Sequence, residues 1–273
     1  MRAADILWAW VAGIAIVSAL ALAAHLVGTQ PRFAGAPIVV VGSSLMLHAV
    51  PPDGLGQDSL LGDGRSHRRV GVDSAGEKEL LSLARRALDE HASLLLLEVN
   101  PLIRDLSAGA KASCSDWVTS VRTTINLERR EIARATRLAM GWHAREAGMG
   151  EATGLDKHRA PTALQIAHSY PFRLREPTCR RELERVVASA RRQGVQVVLV
   201  LPPRSRTAHA LLGQSQALEL ERTAQHLADA LGTPLFDAGS PWPDQEFVDH
   251  AHLGATGRVH FLQVLRLWWQ RRA

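Results

Sequence analysis

Three short apolar runs constrain the fold of this chain more than any other feature. Ile38-Val39-Val40-Val41, Leu94–Leu97 and Val195–Leu201 are almost free of polar residues. Each stops abruptly, at Gly42-Ser43-Ser44-Leu45, at Glu98-Val99-Asn100-Pro101 and at Pro202-Pro203 respectively. A half-exposed strand alternates apolar and polar residues, whereas a continuous apolar run signals a strand covered on both faces, as in a parallel sheet. Helical patterns lie between these runs. Glu77–His91 places Leu80, Leu81, Leu83 and Leu88 on one face, Arg180–Gln193 closes at Gly194, and Gln216–Leu231 and residues 259–269 follow. Weaker strand signals occur at Val70-Gly71-Val72 and Pro234-Leu235-Phe236. This alternation predicts an α/β fold, a three-layer α/β/α sandwich around a central parallel sheet with right-handed crossovers. The stretch from Leu102 to Thr178 breaks the rhythm with a long charged helix at about Asp116–Ala147, followed by Gly148, Gly150 and Gly154. It reads as an insertion at 102–178 beside the sheet, either a lid or partner surface or a solvated helical decoration.

Ahead of the first strand, Ile6 to Val27 contains no charged side chain. About 22 residues suffice to cross a bilayer core of ~30 Å as a helix. Trp8 and Trp10 stand at its start, where indole rings favour the lipid–water interface. The expectation is an N-terminal transmembrane anchor over 1–28, a linker over 29–37 and one exported domain over 38–273. A cleaved signal peptide is the competing reading, with Ala21-Leu22-Ala23 as the cleavage site. The expected location is the cytoplasmic (inner) membrane, single-pass, with the domain facing the periplasm or cell exterior. Two cysteines, Cys114 and Cys179, are too few for a disulfide scaffold, and outside the cytoplasm they could pair with each other. The net charge of +5 comes from 32 Lys+Arg against 27 Asp+Glu, and only 5% of residues are aromatic. That balance excludes a base-stacking nucleic-acid surface, so no nucleic-acid partner is expected.

The punctuation after the strands carries chemistry. Acyl transfer from an ester needs a nucleophile, a base, a group that orients the base, and donors facing the developing oxyanion. Ser44 follows Ile38–Val41, Gly76 lies in the loop after Val70-Gly71-Val72, Asn100 follows Leu94–Leu97, and Asp249-x-x-His252 precedes the last helix. Asp and His three positions apart on one loop let the carboxylate reach Nδ1 while Nε2 faces a hydroxyl elsewhere. Each residue alone has a plainer reading: Ser44 or Asp249 as a cap, Asn100-Pro101 as a turn, His252 as a loop histidine. Their ordered combination points to catalysis. An α/β-hydrolase elbow would need glycine where Met46 stands, and no phosphate loop is present. Asp249, His250 and His252 lack a third histidine or a cysteine cluster, so no metal and no cofactor are expected.

These four blocks resemble the SGNH (GDSL-type) hydrolase superfamily, whose pattern is a G-D-S-like turn, a glycine, G-x-N-D and D-x-x-H. The match spans about 38–101 and 195–262. Within the superfamily, the anchor, the G-S-S turn and Asp249-His250-x-His252-Leu253-Gly254 are similar to D-alanyl-lipoteichoic-acid transfer proteins and alginate O-acetyltransferase-like proteins. The resemblance implies Ser44 as nucleophile, His252 as general base and acid, and Asp249 orienting His252. It implies an oxyanion hole from the Ser44 N–H, the Gly76 N–H and the Asn100 side chain, with Gly71 as an alternative to Gly76. It further implies an O-acyltransferase acting on a cell-envelope polymer or exopolysaccharide, with a polytopic membrane-bound O-acyltransferase supplying the acyl group. An esterase or deacetylase of the same polymer class is the alternative. Glu98 and Pro101 stand where the pattern has glycine and aspartate, and they motivate a third reading, a degenerate domain that binds polysaccharide or scaffolds a complex.

Overall fold

The computed structural model describes residues 36–51, 59–71, 76–104, 166, 169–171, 173–175 and 177–272, together with Gly13. In chain order they form β1 (Ile38–Gly42), α1 (Ser44–Ala49), β2 (His67–Gly71), α2 (Glu77–Asp89), β3 (Leu94–Glu98) and α3 (Asn100–Ile103). Then come α4 (Arg180–Arg192), β4 (Gln196–Leu201), α5 (Arg206–Leu212), α6 (Gln214–Leu231), β5 (Leu235–Asp237), a 3₁₀ turn at Asp244–Glu246 and α7 (Ala255–Gln270). The helix expected at 116–147 lies outside the described residues, as does the expected anchor apart from Gly13. No helix among the described residues is long and apolar enough to cross a membrane.

All five strands run parallel in the order β2-β1-β3-β4-β5. The apolar runs are buried on both faces, as their composition requires. Val39, Val41, Leu95, Leu97, Val197, Leu199 and Leu201 face one core with side chains of α2, α4 and α6. Their alternates Ile38, Val40, Leu94, Leu96, Val198 and Val200 face a second core with Met46 and Ala49 of α1 and Phe261 and Leu265 of α7. Strand periodicity thus divides each run between two helical layers.

β2 differs from its expected bounds, beginning at His67 and carrying Arg68 and Arg69. It is an edge strand, paired only with β1, and its first three residues are half-buried, so its apolar signal is confined to Val70 and Gly71. α5 was absent from the periodicity, because seven residues are too few to show it. Its start is fixed by the Ser205 hydroxyl, which accepts from the Ala208 N–H at 3.0 Å.

The chain returns from the 102–178 region onto Glu77, in the first turn of α2. One carboxylate oxygen accepts from the Cys179 N–H at 2.7 Å and the other from the Thr178 N–H at 3.1 Å. Cys179 is disulfide-bonded, and Cys114 is the chain's one other cysteine. The denatured, unreduced protein should therefore show no titratable thiol, and reduction should lower stability by about 2–5 kcal/mol. A free thiol in that titration contradicts the bond.

Candidate active site

A parallel sheet delivers the carboxyl ends of all its strands to one edge, and a crevice opens where successive crossovers diverge. In the order β2-β1-β3 that point falls between β1 and β3. Ser44 comes just after the end of β1, with Ser43 between, and Asn100 just after the end of β3, with Val99 between, so both stand at the carboxyl edge of the sheet where the crevice falls.

The turn into α1 is tight. A Cβ on Gly42 would lie 2.5 Å from Met46 Cβ and 2.7 Å from Glu98 Oε2, so only glycine lets the helix fold back so closely on the strand end. The helix cap is Ser43, whose Oγ accepts from the Leu45 N–H at 3.3 Å. Ser44 is thereby released from the capping role. Its N–H, at the first position of α1, has no acceptor within the helix.

Ser44 Oγ lies 2.9 Å from His252 Nε2. On the other side of the ring, Nδ1 donates to Asp249 Oδ2 at 2.8 Å, which leaves Nε2 as the acceptor for the serine hydroxyl. Asp249 Oδ1 accepts from the Ala251 and His252 N–H groups, both at 2.7 Å. Burial pushes the Asp249 carboxyl up, but the hydrogen bond and charge of His252 and the two backbone bonds outweigh it. The group is held well below the ordinary carboxylate range, so it is an anion wherever the imidazole works. The capping alternative for Asp249 is also real, since one oxygen ties the loop while the other holds the ring.

Neighbouring elements fix this loop. Val248 N–H donates to the His252 carbonyl at 2.8 Å, and the Ser205 hydroxyl donates to the His250 carbonyl at 2.8 Å. Tyr170, fully buried, shares its hydroxyl proton between the Pro203 and Ala251 carbonyls at 3.0 and 3.1 Å. Tyr170 and Ile166 pack in one apolar cluster with Leu45, Ala208, Leu212 and Ala251, so the end of the 102–178 region adjoins both sides of the crevice.

The expected oxyanion donors differ in state. Asn100 is fully buried, and neither its Nδ2 nor its Oδ1 has a partner. An amide left unpaired in the interior is costly, and such groups are found where a ligand supplies the partner. Gly76 instead caps α2, and its N–H donates to Glu79 Oε2 at 3.2 Å. Gly71 ends β2 opposite Gly42, where a Cβ would crowd Leu47 and the Gly42 carbonyl. Among the described residues no group of three or more His, Cys, Asp or Glu is arranged to hold a metal ion.

Several residues at the site were not singled out in the sequence. His48, four positions after Ser44, packs its ring 4.7 Å from that of His252, tilted by 49°. Its partner ring lies far off in sequence, so nothing local pointed to the pairing. Tyr170 and Ser205 gave no local signal, because their partners are backbone carbonyls distant in sequence. Glu98, by contrast, was noted in the sequence, as a departure from the resembled pattern.

Solved structures similar to this chain include a GDSL-like lipase from Bacteroides thetaiotaomicron, at 8% identity and a TM-score of 0.43, covering 86% of this chain and 88% of that one. A carbohydrate acetylesterase from Sinorhizobium meliloti is similar at 12% identity and a TM-score of 0.39, covering 86% and 97%. A catalytic variant of an acetylxylan esterase from Geobacillus stearothermophilus is similar at 8% identity and 0.39, covering 86% and 94%. No family model and no curated protein matches the sequence. At these identities the chemistry has to be read from this chain's own side chains.

His48 supplies a pH test of the packing. Burial, then the charges of His252, Arg258 and Arg69, push it down to about 4 against the pull of Asp249. Between its ordinary value of 6.5 and about 4, the unfolded chain binds a proton that the folded chain refuses. Its contribution to stability is therefore complete above 6.5 and is lost as pH falls toward 4, at no more than about 1.4 kcal/mol per pH unit. Chemical denaturation at pH 5 and 7 should show a smaller pH difference for His48→Leu than for wild type. Equal differences contradict this.

Proposed function

We propose that this chain is a serine esterase of the SGNH type that cleaves acyl, most simply acetyl, esters of carbohydrate through an acyl-enzyme on Ser44. The observation that carries the reading is the continuous hydrogen-bonded chain from Asp249 Oδ2 through the His252 ring to Ser44 Oγ. In this mechanism His252 Nε2 takes the Ser44 proton as Oγ attacks the ester carbonyl carbon, and Asp249 stabilises the imidazolium that forms. The carbonyl oxygen becomes an oxyanion held by the Ser44 N–H and Asn100 Nδ2, whose donors are otherwise unmet in the crevice. The Gly76 N–H would join them on release from Glu79. His252 then gives its proton to the departing alcohol oxygen, leaving Ser44 acylated. A water deprotonated by the same Nε2 attacks the acyl carbon, and Ser44 leaves with the proton.

A second reading keeps every residue in place and substitutes a sugar hydroxyl for that water, giving an O-acyltransferase of a cell-envelope polymer or exopolysaccharide. Two features favour it: the uncharged stretch Ile6–Val27, long enough to anchor the domain beside a membrane-bound acyl supply, and the Cys179 disulfide, which suits an oxidising compartment outside the cytoplasm. Retention in the cytoplasmic membrane, with the domain facing the periplasm or exterior and a polytopic O-acyltransferase as donor partner, belongs to this reading.

Hydrolysis of p-nitrophenyl acetate by the wild type, Ser44→Ala and His252→Ala tests the shared chemistry. Each substitution should lower kcat by roughly a thousandfold or more with the fold retained. Equal rates in all three sink both readings, leaving a binding or scaffold role. Adding oligosaccharide acceptors and weighing the products then separates the two: acetylated oligosaccharide supports transfer, acetate alone supports hydrolysis.

A further inference from the structure

Glu98 is a buried acid that the ester chemistry does not use. It ends β3 with no exposed surface, and both of its oxygens engage one residue. The Ser43 N–H donates to Oε2 at 2.6 Å and the Ser43 hydroxyl donates to Oε1 at 2.9 Å. Placing a carboxylate in the interior is unfavourable unless its partners answer it. Burial pushes the Glu98 carboxyl above its ordinary range, and the two Ser43 bonds and the charges of Arg104 and His252 pull the other way. Arg104, which follows the last residue of α3, is itself buried, and its charge acts on Glu98.

The residue held this way is the one before Ser44. Its N–H bond fixes the peptide that enters Ser43, and its hydroxyl bond fixes the side chain that caps α1 through the Leu45 N–H. With its N–H and its side chain both held, and the side chain tied on to the Leu45 N–H, Ser43 is confined in its two backbone rotations, observed at φ −83° and ψ −167°. Those rotations aim the Ser44 N–H and Oγ. Gly42 is part of the same device, since a Cβ there would collide with Glu98 Oε2 at 2.7 Å.

We infer that Glu98 is a positioning residue for the nucleophile turn, acting through Ser43 to hold the Ser44 hydroxyl toward His252 and the Ser44 N–H toward the oxyanion. The inference rests on the ester-cleaving reading of the site. Glu98 touches no reacting atom, and its effect travels through two hydrogen bonds to a single neighbour. A purely structural role would instead show itself in stability.

A double-mutant cycle distinguishes the two. Wild type, Glu98→Gln, Ser43→Ala and the double variant are compared for kcat and KM on p-nitrophenyl acetate, with thermal melting alongside. Each single change should lower kcat by about tenfold to a hundredfold, the scale of a displaced reacting group, with KM little altered. The double variant should be no slower than the slower single one, because the two changes remove one device. Multiplicative losses, or a lowered melting temperature with kcat per folded molecule unchanged, overturn the inference. If Glu98→Gln does not fold, Ser43→Ala decides alone, and unchanged kcat there overturns it. Absence of turnover in the wild type removes the ester reading and this inference with it, whereas wild-type turnover with independent effects removes only the role of Glu98.

Discussion

The contact between Ser44 Oγ and His252 Nε2 joins side chains 208 residues apart, and most of the architecture can be understood as what holds that 2.9 Å. One end is set by β1, whose buried run stops at Gly42 and turns at once into α1. The other end is set by a loop without regular structure between the 3₁₀ turn and α7, which could not hold a ring in place unaided. It is held by bonds from three directions: Asp249 to its own backbone, Ser205 from the start of α5, and Tyr170 from the end of the 102–178 region. Strands anchored in two apolar cores supply the rigidity, and side-chain bonds to carbonyls transmit it to the loop.

Electrostatics complete the arrangement. Asp249 is held as an anion by its partners, and its Oδ2 faces the His252 ring through the Nδ1 bond. His48, beside that ring, is pushed down by burial first and then by the charges of His252 and of the arginines Arg258 and Arg69. The same arginines fasten α1: Arg69 donates to the Leu47 and Val50 carbonyls, and Arg258 to the His48 carbonyl at 3.0 Å. They meet the unsatisfied carbonyls at the end of a six-residue helix that would not persist by itself.

The parts legible in sequence are those whose physics is local. Continuous apolar runs announced β1, β3 and β4 because burial on both faces leaves no room for polar alternation. Ser44, Asn100, Asp249 and His252 stood out because they follow strands or share a short loop. What was hidden depends on distant pairing. β2 is half-buried at an edge and reads as basic, α5 is too short for periodicity, and Ser205 and Tyr170 act on carbonyls 45 and 81 residues away. Glu98 looked like a departure from the resembled pattern that motivated the reading of a degenerate domain. In the structure it is bonded to Ser43, the residue beside Ser44, and Asn100 lies buried with its side-chain amide unpaired.

The proposed chemistry requires Ser44 to be a nucleophile activated by His252. The most direct measurement is reaction of the full chain with a fluorophosphonate, followed by peptide mapping by mass spectrometry. The prediction is a single stable phosphonyl adduct on the Ser44 peptide, formed far more slowly in His252→Ala. No adduct, an adduct on another serine, or labelling of Ser44 at the same rate without His252 would contradict it.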